Sequence, residues 1–168
     1  MSVFEVAPVK PAQYESFVDL LLELHAYYVD PPTATREETR VHLTEHLLAD
    51  SPSLCLLAAS SSDGQVVGFA ALLLQYSLVE SASNSRRQCV LKELYVRASS
   101  RSLGVGELLV RHAARYAIDN GCGRMDWNVK SSNLRGIAFY RSLGGNPVED
   151  RLSFRLSRSA LEALAGVA

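Results

Sequence analysis

The sequence predicts one α/β domain with a mixed sheet and helices on both faces. Three observations lead there. Short apolar stretches rich in Val, Leu and Ala alternate with longer segments whose apolar residues recur at helical spacing. Their order, β-α-α-β-β-β-α-β-α-β, is that of a sheet crossed by helices on each side. The 168 residues, 48% of them hydrophobic, suffice for a single core.

The elements follow in order. Residues 3–9 read as a strand closed by Pro8 or by Lys10-Pro11, and Pro11 suits the first turn of a helix. Phe17, Leu20, Leu21, Leu24 and Tyr28 form its buried stripe, and Asp30-Pro31-Pro32 stops it. Thr35-x-x-Glu38 is a capping box that opens a second helix, running to about Ala49. Residues 54–59 are a continuous apolar strand. The Ser61-Ser62-Asp63-Gly64 turn joins it to a longer strand over 65–79, making a hairpin. A polar loop over 80–87 leads into a central strand over 90–97. The next helix shows its apolar face at Val105, Leu108, Leu109, Ala113, Tyr116 and Ala117, with His112 expected beside that face in the core. Gly121 and Gly123 bracket its exit. A strand over 124–130, a helix over 134–143 capped from Ser131-Ser132-Asn133, a last strand over 150–156 and a short helix over 157–165 complete the chain.

Composition narrows the function classes. A net charge of −1 gives no general attraction to nucleic acid, which is not expected as a partner. No run approaches the length of a membrane span and the first residues lack the pattern of a signal peptide, so no membrane partner is expected. Cys55, Cys89 and Cys122 are odd in number and widely spaced, which suits reduced thiols in a cytoplasmic protein. Charge is unevenly placed. Residues 1–50 carry nine acids against three bases, net −6, and residues 51–168 nine against fourteen, net +5. The basic part would suit an anionic cofactor and the acidic part a cationic acceptor.

The most informative stretch joins the central strand to its helix. Arg101-Ser102-Leu103-Gly104-Val105-Gly106 holds two glycines that permit a tight turn, at a point where a helix N-terminus presents free N–H groups to an anion. A Walker A loop would need Gly-Lys-Ser/Thr, and no lysine is present. A dinucleotide fingerprint would need a glycine where Leu109 stands. The Arg-x-x-Gly-x-Gly pattern after a strand ending Leu94-Tyr95-Val96, with Asn133 and Phe139-Tyr140 further on, resembles the GNAT superfamily of acyl-CoA-dependent N-acetyltransferases. The resemblance covers nearly the whole length. It implies a GNAT-like single domain over residues 1–168 with a mostly antiparallel sheet, acetyl-CoA as co-substrate, no metal, and a homodimer.

What the resemblance implies for the site is specific. The Arg101–Gly106 residues, Val105 included, hold the pyrophosphate, with Glu107 turned away from it. Backbone groups of Leu94, Tyr95 and Val96 pair with the pantetheine arm. Asn133 contacts the cofactor and Tyr140 serves as general acid to the leaving thiolate. Glu93, a charged residue in an apolar strand, is the candidate base, because an alkylammonium with a pKa near ~10.4 cannot attack before losing a proton. Glu23-Leu-His-Ala-Tyr27-Tyr28, Thr35-x-x-Glu38 and Asp126-Trp127-Asn128 are similar, more loosely, to the diamine and spermidine acetyltransferase branch. That implies a small polyamine- or diamine-like acceptor, touched by Tyr27, Tyr28, Glu93 and Trp127. An amino acid, an aminoglycoside or a protein N-terminus or lysine are the alternatives. Two readings come from other classes. His42-Leu43-Thr44-Glu45-His46 has the H-x-x-E-H order of a zinc hydrolase, and a non-catalytic acyl-CoA sensor would keep the loop without turnover.

Overall fold

The computed structural model describes residues 3–49 and 53–166. The chain divides into two compact units, Met1–Asn128 and Val129–Ala168. In the first, β1 (Phe4–Pro8) leads through a 3-10 turn at Pro11–Gln13 into α1 (Tyr14–Tyr28). α2 (Arg36–Val41) follows and widens into a π-helical turn at His42–Leu47. Then come β2 (Leu54–Ser61), β3 (Val66–Tyr76), β4 (Arg87–Val96), α3 (Val105–Asp119) and β5 (Cys122–Asp126). The sheet runs β1-β2-β3-β4-β5. Its first three pairings are antiparallel and β4 with β5 is parallel.

Alternation along β3 assigns the two faces. Phe69 and Ala71 turn toward α1 and join Phe17, Val18, Leu20, Leu56 and Tyr95 in one buried cluster. Gly68 turns to the other face, under Val105 and Leu109 of α3. Helices therefore cover both faces, as the element order predicts. The capping box forms as expected: Glu38 N–H donates to Thr35 Oγ1 at 3.2 Å, and Thr35 N–H to Glu38 Oε2 at 2.9 Å. α2 is tied to α1 by Arg36, which reaches Glu15 (2.9 Å) and Asp19 (2.5 Å), and by Arg40, which reaches Glu15 (2.8 Å) and also Glu37. Hydrogen bonds from Arg40 and Arg36 hold the Glu15 carboxyl down at about 2.

In the second unit, α4 (Leu134–Ser142) is capped by Asn133, whose Oδ1 accepts from Gly136 N–H at 2.9 Å. α5 (Arg158–Ala165) is capped by Ser157.

Five expectations are corrected. The last strand does not form. Residues 151–157 pair with no strand among the described residues, and Leu152, Phe154 and Leu156 stand 83, 90 and 52% exposed. Their alternation is strand-like, but a strand exists only where a partner edge meets it, and that edge is non-local. β3 ends at Tyr76 rather than 79, and β5 at Asp126 rather than 130. Tyr28 is half exposed, because α1 ends there and its last turn overhangs the core. His112 is exposed, flanking the stripe of Val105, Leu109, Ala113 and Ala117 that the sheet covers.

Gly68 has no space for a side chain. A Cβ there would lie 2.9 Å from the Tyr95 carbonyl oxygen and 3.2 Å from both Leu109 Cδ1 and Val105 Cγ1. Gly68→Ala is therefore expected to cost about 1–3 kcal/mol, read as a lower urea midpoint at unchanged slope. A wild-type midpoint would mean that α3 does not rest on β3 this closely.

Candidate active site

One extra residue in β4 shapes the cavity. Ala71 pairs with Glu93 and Leu72 with Leu91, so Lys92 is the unmatched residue of a β-bulge. Regular alternation would put Glu93 on the same face as Leu91. The bulge breaks it. Leu91 stays with Leu72 on the α3 face, and Glu93 joins Ala71 and Tyr95 on the α1 face. Lys92 and Glu93 consequently both line a cavity of about 700 Å³ between that face and α1 and α2. Its floor is buried and apolar, with Phe17, Leu56 and Phe69; Tyr28, Lys92 and Glu93 carry its polar side.

Burial raises the Glu93 pKa above the ordinary carboxylate value. Hydrogen bonds from Tyr28 and the Leu94 backbone, and the charge of Lys92, oppose the shift without cancelling it. Tyr28 Oη donates to Glu93 Oε1 at 3.3 Å. Tyr27 packs edge-on to Tyr28 (5.1 Å between ring centres) and tilts against Tyr95 (6.3 Å). It is not part of the cavity wall.

On the opposite edge, β4 parts from β5. The last paired residues are Val90 and Asp126. β4 runs on to Val96, so the edge from Leu91 through Leu94, Tyr95 and Val96 has no strand beside it among the described residues. The chain then turns through Arg101, Ser102 and Leu103 into α3. Ser102 has φ 64° and Gly104 φ 82°, and Gly104, at the N-cap position, has no side chain to cap the helix. A Cβ on Gly104 would meet nothing within 4 Å, so the surface over this turn is open. A strand edge with no strand beside it among the described residues, next to a 15-residue helix that starts at a glycine, offers backbone donors to an extended polar chain ending in an anion, and the residues present fit the arm and diphosphate of coenzyme A. Arg101 is held by its Nε–H, which donates to the Val96 carbonyl at 3.0 Å, and its guanidinium lies over the Tyr95 ring, 5.5 Å from the centre. Val105 is buried in the core, so only its backbone and that of Gly106 can face a ligand. Glu107 turns to Arg111, at 2.7 Å, as the sequence leads one to expect.

Trp127, partly buried, follows the end of β5 and is not in the lining of this cavity. Asn133 and Tyr140 belong to the second unit, where Asn133 caps α4 and the Tyr140 ring packs on Phe139 at 5.1 Å. His42 and His46 have ring centres 5.7 Å apart, and His42 lines the cavity. Among the described residues no cluster of three His, Cys, Asp or Glu groups suited to a metal ion occurs.

Sequence reasoning missed three residues. Glu23 is the joint between α1 and the end of β4: its Oε1 accepts from Tyr95 Oη (3.0 Å) and Ala98 N–H (2.9 Å), while Arg97 lies 3.7 Å from Oε2. The signal was a carboxylate one turn before Tyr27. His25 Nε2 accepts from the N–H groups of Thr33 (3.1 Å) and Ala34 (3.2 Å), pinning the loop that walls the cavity. Ala71 gave no signal, since its smallness matters only opposite Glu93.

The model of the acetyltransferase (GNAT) family matches residues 21–144, crossing the boundary between the two units. The chain is 28% identical over 104 residues to the thialysine N-epsilon-acetyltransferase of Bos taurus and 30% over 126 residues to that of Mus musculus. Those stretches take in 60 and 67% of this chain and 58 and 68% of the relatives. An integron cassette protein from the mobile metagenome of V. cholerae superposes with a TM-score of 0.86 at 27% identity, over 98% of both chains. An aminoglycoside N-acetyltransferase solved in complex with CoA superposes at 0.72 with 21% identity, over 92% of this chain and 95% of that one. With a matching family model over most of its length, an open strand edge and a Gly-turn at the start of α3, the chain belongs to the GNAT acetyltransferase family.

Proposed function

We propose that the protein transfers an acetyl group from acetyl-CoA to the nitrogen of a small primary amine, with Glu93 as general base. The carrying observation is the Glu93 carboxylate in the cavity, its proton affinity raised by burial. A primary alkylammonium has a pKa near ~10.4 and is protonated at neutral pH. A carboxylate that holds protons more tightly than usual is better matched to removing that proton, directly or through water. Acetyl-CoA supplies the acetyl group as an activated thioester. The edge of Leu94, Tyr95 and Val96 and the turn of Arg101, Ser102, Leu103, Gly104, Val105 and Gly106 would hold it through backbone groups, with Asn133 as a further contact. Tyr140 is assigned as the acid that protonates the departing thiolate. Tyr28 orients Glu93, and Tyr27 backs Tyr28 through its edge-on ring contact.

Support for an amine acceptor comes from the relatives named for thialysine and aminoglycoside substrates. A diamine or polyamine is one member of that class, alongside amino acids, aminoglycosides and protein amines. The proposal also takes the two units as one catalytic domain, in line with the family match across residues 128 and 129. It includes a homodimer, for which the exposed row of Leu152, Phe154 and Leu156 is a suitable apolar surface, and a cytoplasmic setting, suited to three free thiols. The zinc-hydrolase reading has no third ligand among the described residues to rest on. A non-catalytic sensor would bind acetyl-CoA without releasing thiol.

Incubation with acetyl-CoA and a panel of amines is expected to release free thiol. Release with none of them, despite cofactor binding, would leave the sensor in its place. Glu93→Gln is expected to lower kcat by about 10²–10⁴-fold at neutral pH; wild-type turnover would remove Glu93 as base. Because the base must be ionised, kcat/KM falls as pH drops through the Glu93 pKa, and that limb should lie above the ordinary carboxylate value near ~4.3. The Tyr28 hydrogen bond lowers this pKa, so Tyr28→Phe should move the limb to higher pH. An unmoved or lowered limb contradicts the coupling. Tyr140→Phe should slow turnover while calorimetry finds acetyl-CoA affinity unchanged; turnover at the wild-type rate would exclude Tyr140 as acid.

A further inference from the structure

We infer that the acceptor is a monocationic amine with an apolar body, an alkyl- or arylalkylamine in chemical class, rather than a polyamine or another polycation. The inference rests on the acetyl-transfer reading above and concerns the same cavity.

Three features of the cavity lead to it. The first is charge. Its walls hold two carboxylates, Glu38 and Glu93, against one ammonium, Lys92, an excess of one negative charge among these three groups. His25 Nε2 is taken up by the N–H groups of Thr33 and Ala34. The second is how the carboxylates are used. Glu38 Oε2 takes hydrogen bonds from Thr35 N–H (2.9 Å) and Thr35 Oγ1 (2.7 Å), so it is committed to the helix cap. Glu93 alone is turned to a guest, and one ammonium satisfies it. The third is the wall. Phe17, Leu24, Leu47, Leu54, Leu56 and Phe69 offer no acceptor to a second ammonium carried deeper in, and an ionised group buried without a partner is strongly disfavoured.

Ala71 sets the reach of this space. It pairs directly with Glu93 and lies between Glu93 and Leu56 in one row across the sheet. A methyl there leaves the floor open to a chain whose nitrogen sits at Glu93. A cavity of about 700 Å³ accommodates a six-carbon chain or a phenyl group.

The decisive comparison is hexylamine against 1,6-diaminohexane, equal in length and differing only in a charge at the far end. With the wild-type protein and acetyl-CoA, kcat/KM for hexylamine should exceed that for 1,6-diaminohexane and for spermidine by at least about tenfold, since one unpaired buried charge costs at least that factor. Each methylene buried in the apolar wall contributes about fourfold, so kcat/KM should rise at least about tenfold from ethylamine to hexylamine. Ala71→Leu should shrink that ratio, its fold being checked by a thermal melt. Equal or better turnover of the diamine or spermidine, of ornithine, or of an aminoglycoside overturns the inference and leaves acetyl transfer intact. Direct binding of the amines by calorimetry separates the two readings: hexylamine binding without thiol release would sink acetyl transfer while supporting this assignment of the cavity, and failure of hexylamine to bind or react would sink the assignment itself.

Discussion

The site depends on a single unmatched residue. Lys92 bulges from β4, and past it every side chain of the strand changes face. Without the bulge Glu93 would lie on the α3 face with Leu91 and Cys89, in a layer of buried apolar groups where a carboxylate has no partner. With it, the same carboxylate opens into the cavity beneath α1. The bulge thus joins two demands that conflict in a regular strand: an apolar lower half packed on both faces, and an upper half that presents an acid to one side and a bare backbone edge to the other.

That bare edge exists because β4 outruns β5 by six residues, from Leu91 to Val96. Something must hold the extended end in place, and Glu23 does so. Its carboxylate collects the Tyr95 hydroxyl and the Ala98 N–H, and draws Arg97 close, on the α1 side. Tyr95 in turn carries the Arg101 guanidinium on its ring face, and Arg101 closes back on the Val96 carbonyl. Gly68 lets α3 settle against the same strand end from the opposite face. The cavity and the Gly-turn are thereby referred to one short stretch of backbone, a fixed spacing of the kind that the proposed acyl transfer between two bound molecules would require.

The acidic surplus of the first fifty residues turns out to be mainly structural. Glu15, Asp19 and Glu37 pair with Arg36 and Arg40, Glu38 caps α2, and Glu23 anchors β4. Charge distribution along the chain pointed toward a cationic partner, yet of the two carboxylates lining the cavity Glu38 is taken by the helix cap, and Glu93, held by Tyr28, lies outside that acidic segment. Net charge over a segment measures how much charge is present; the hydrogen bonds already made decide how much is left for a ligand.

What the sequence determined by itself were the features whose causes are local. The capping box at Thr35 and Glu38, the stop before Asp30-Pro31, the Gly-turn ahead of α3 and the helical stripe of Leu109, Ala113 and Ala117 all form as read, because each depends on contacts within a few residues. Glu93 stood out for the same reason, as a charge in an apolar run. Tertiary structure alone decided which face that charge occupies, because a bulge is a property of two strands in register. It also decided that residues 151–157 form no strand, that Glu23 and His25 serve as anchors, and that Ala71 sets the depth of the cavity. The anchors and Ala71 turn on partners brought from 8 to 75 positions away, and no local pattern encodes where such a partner will lie.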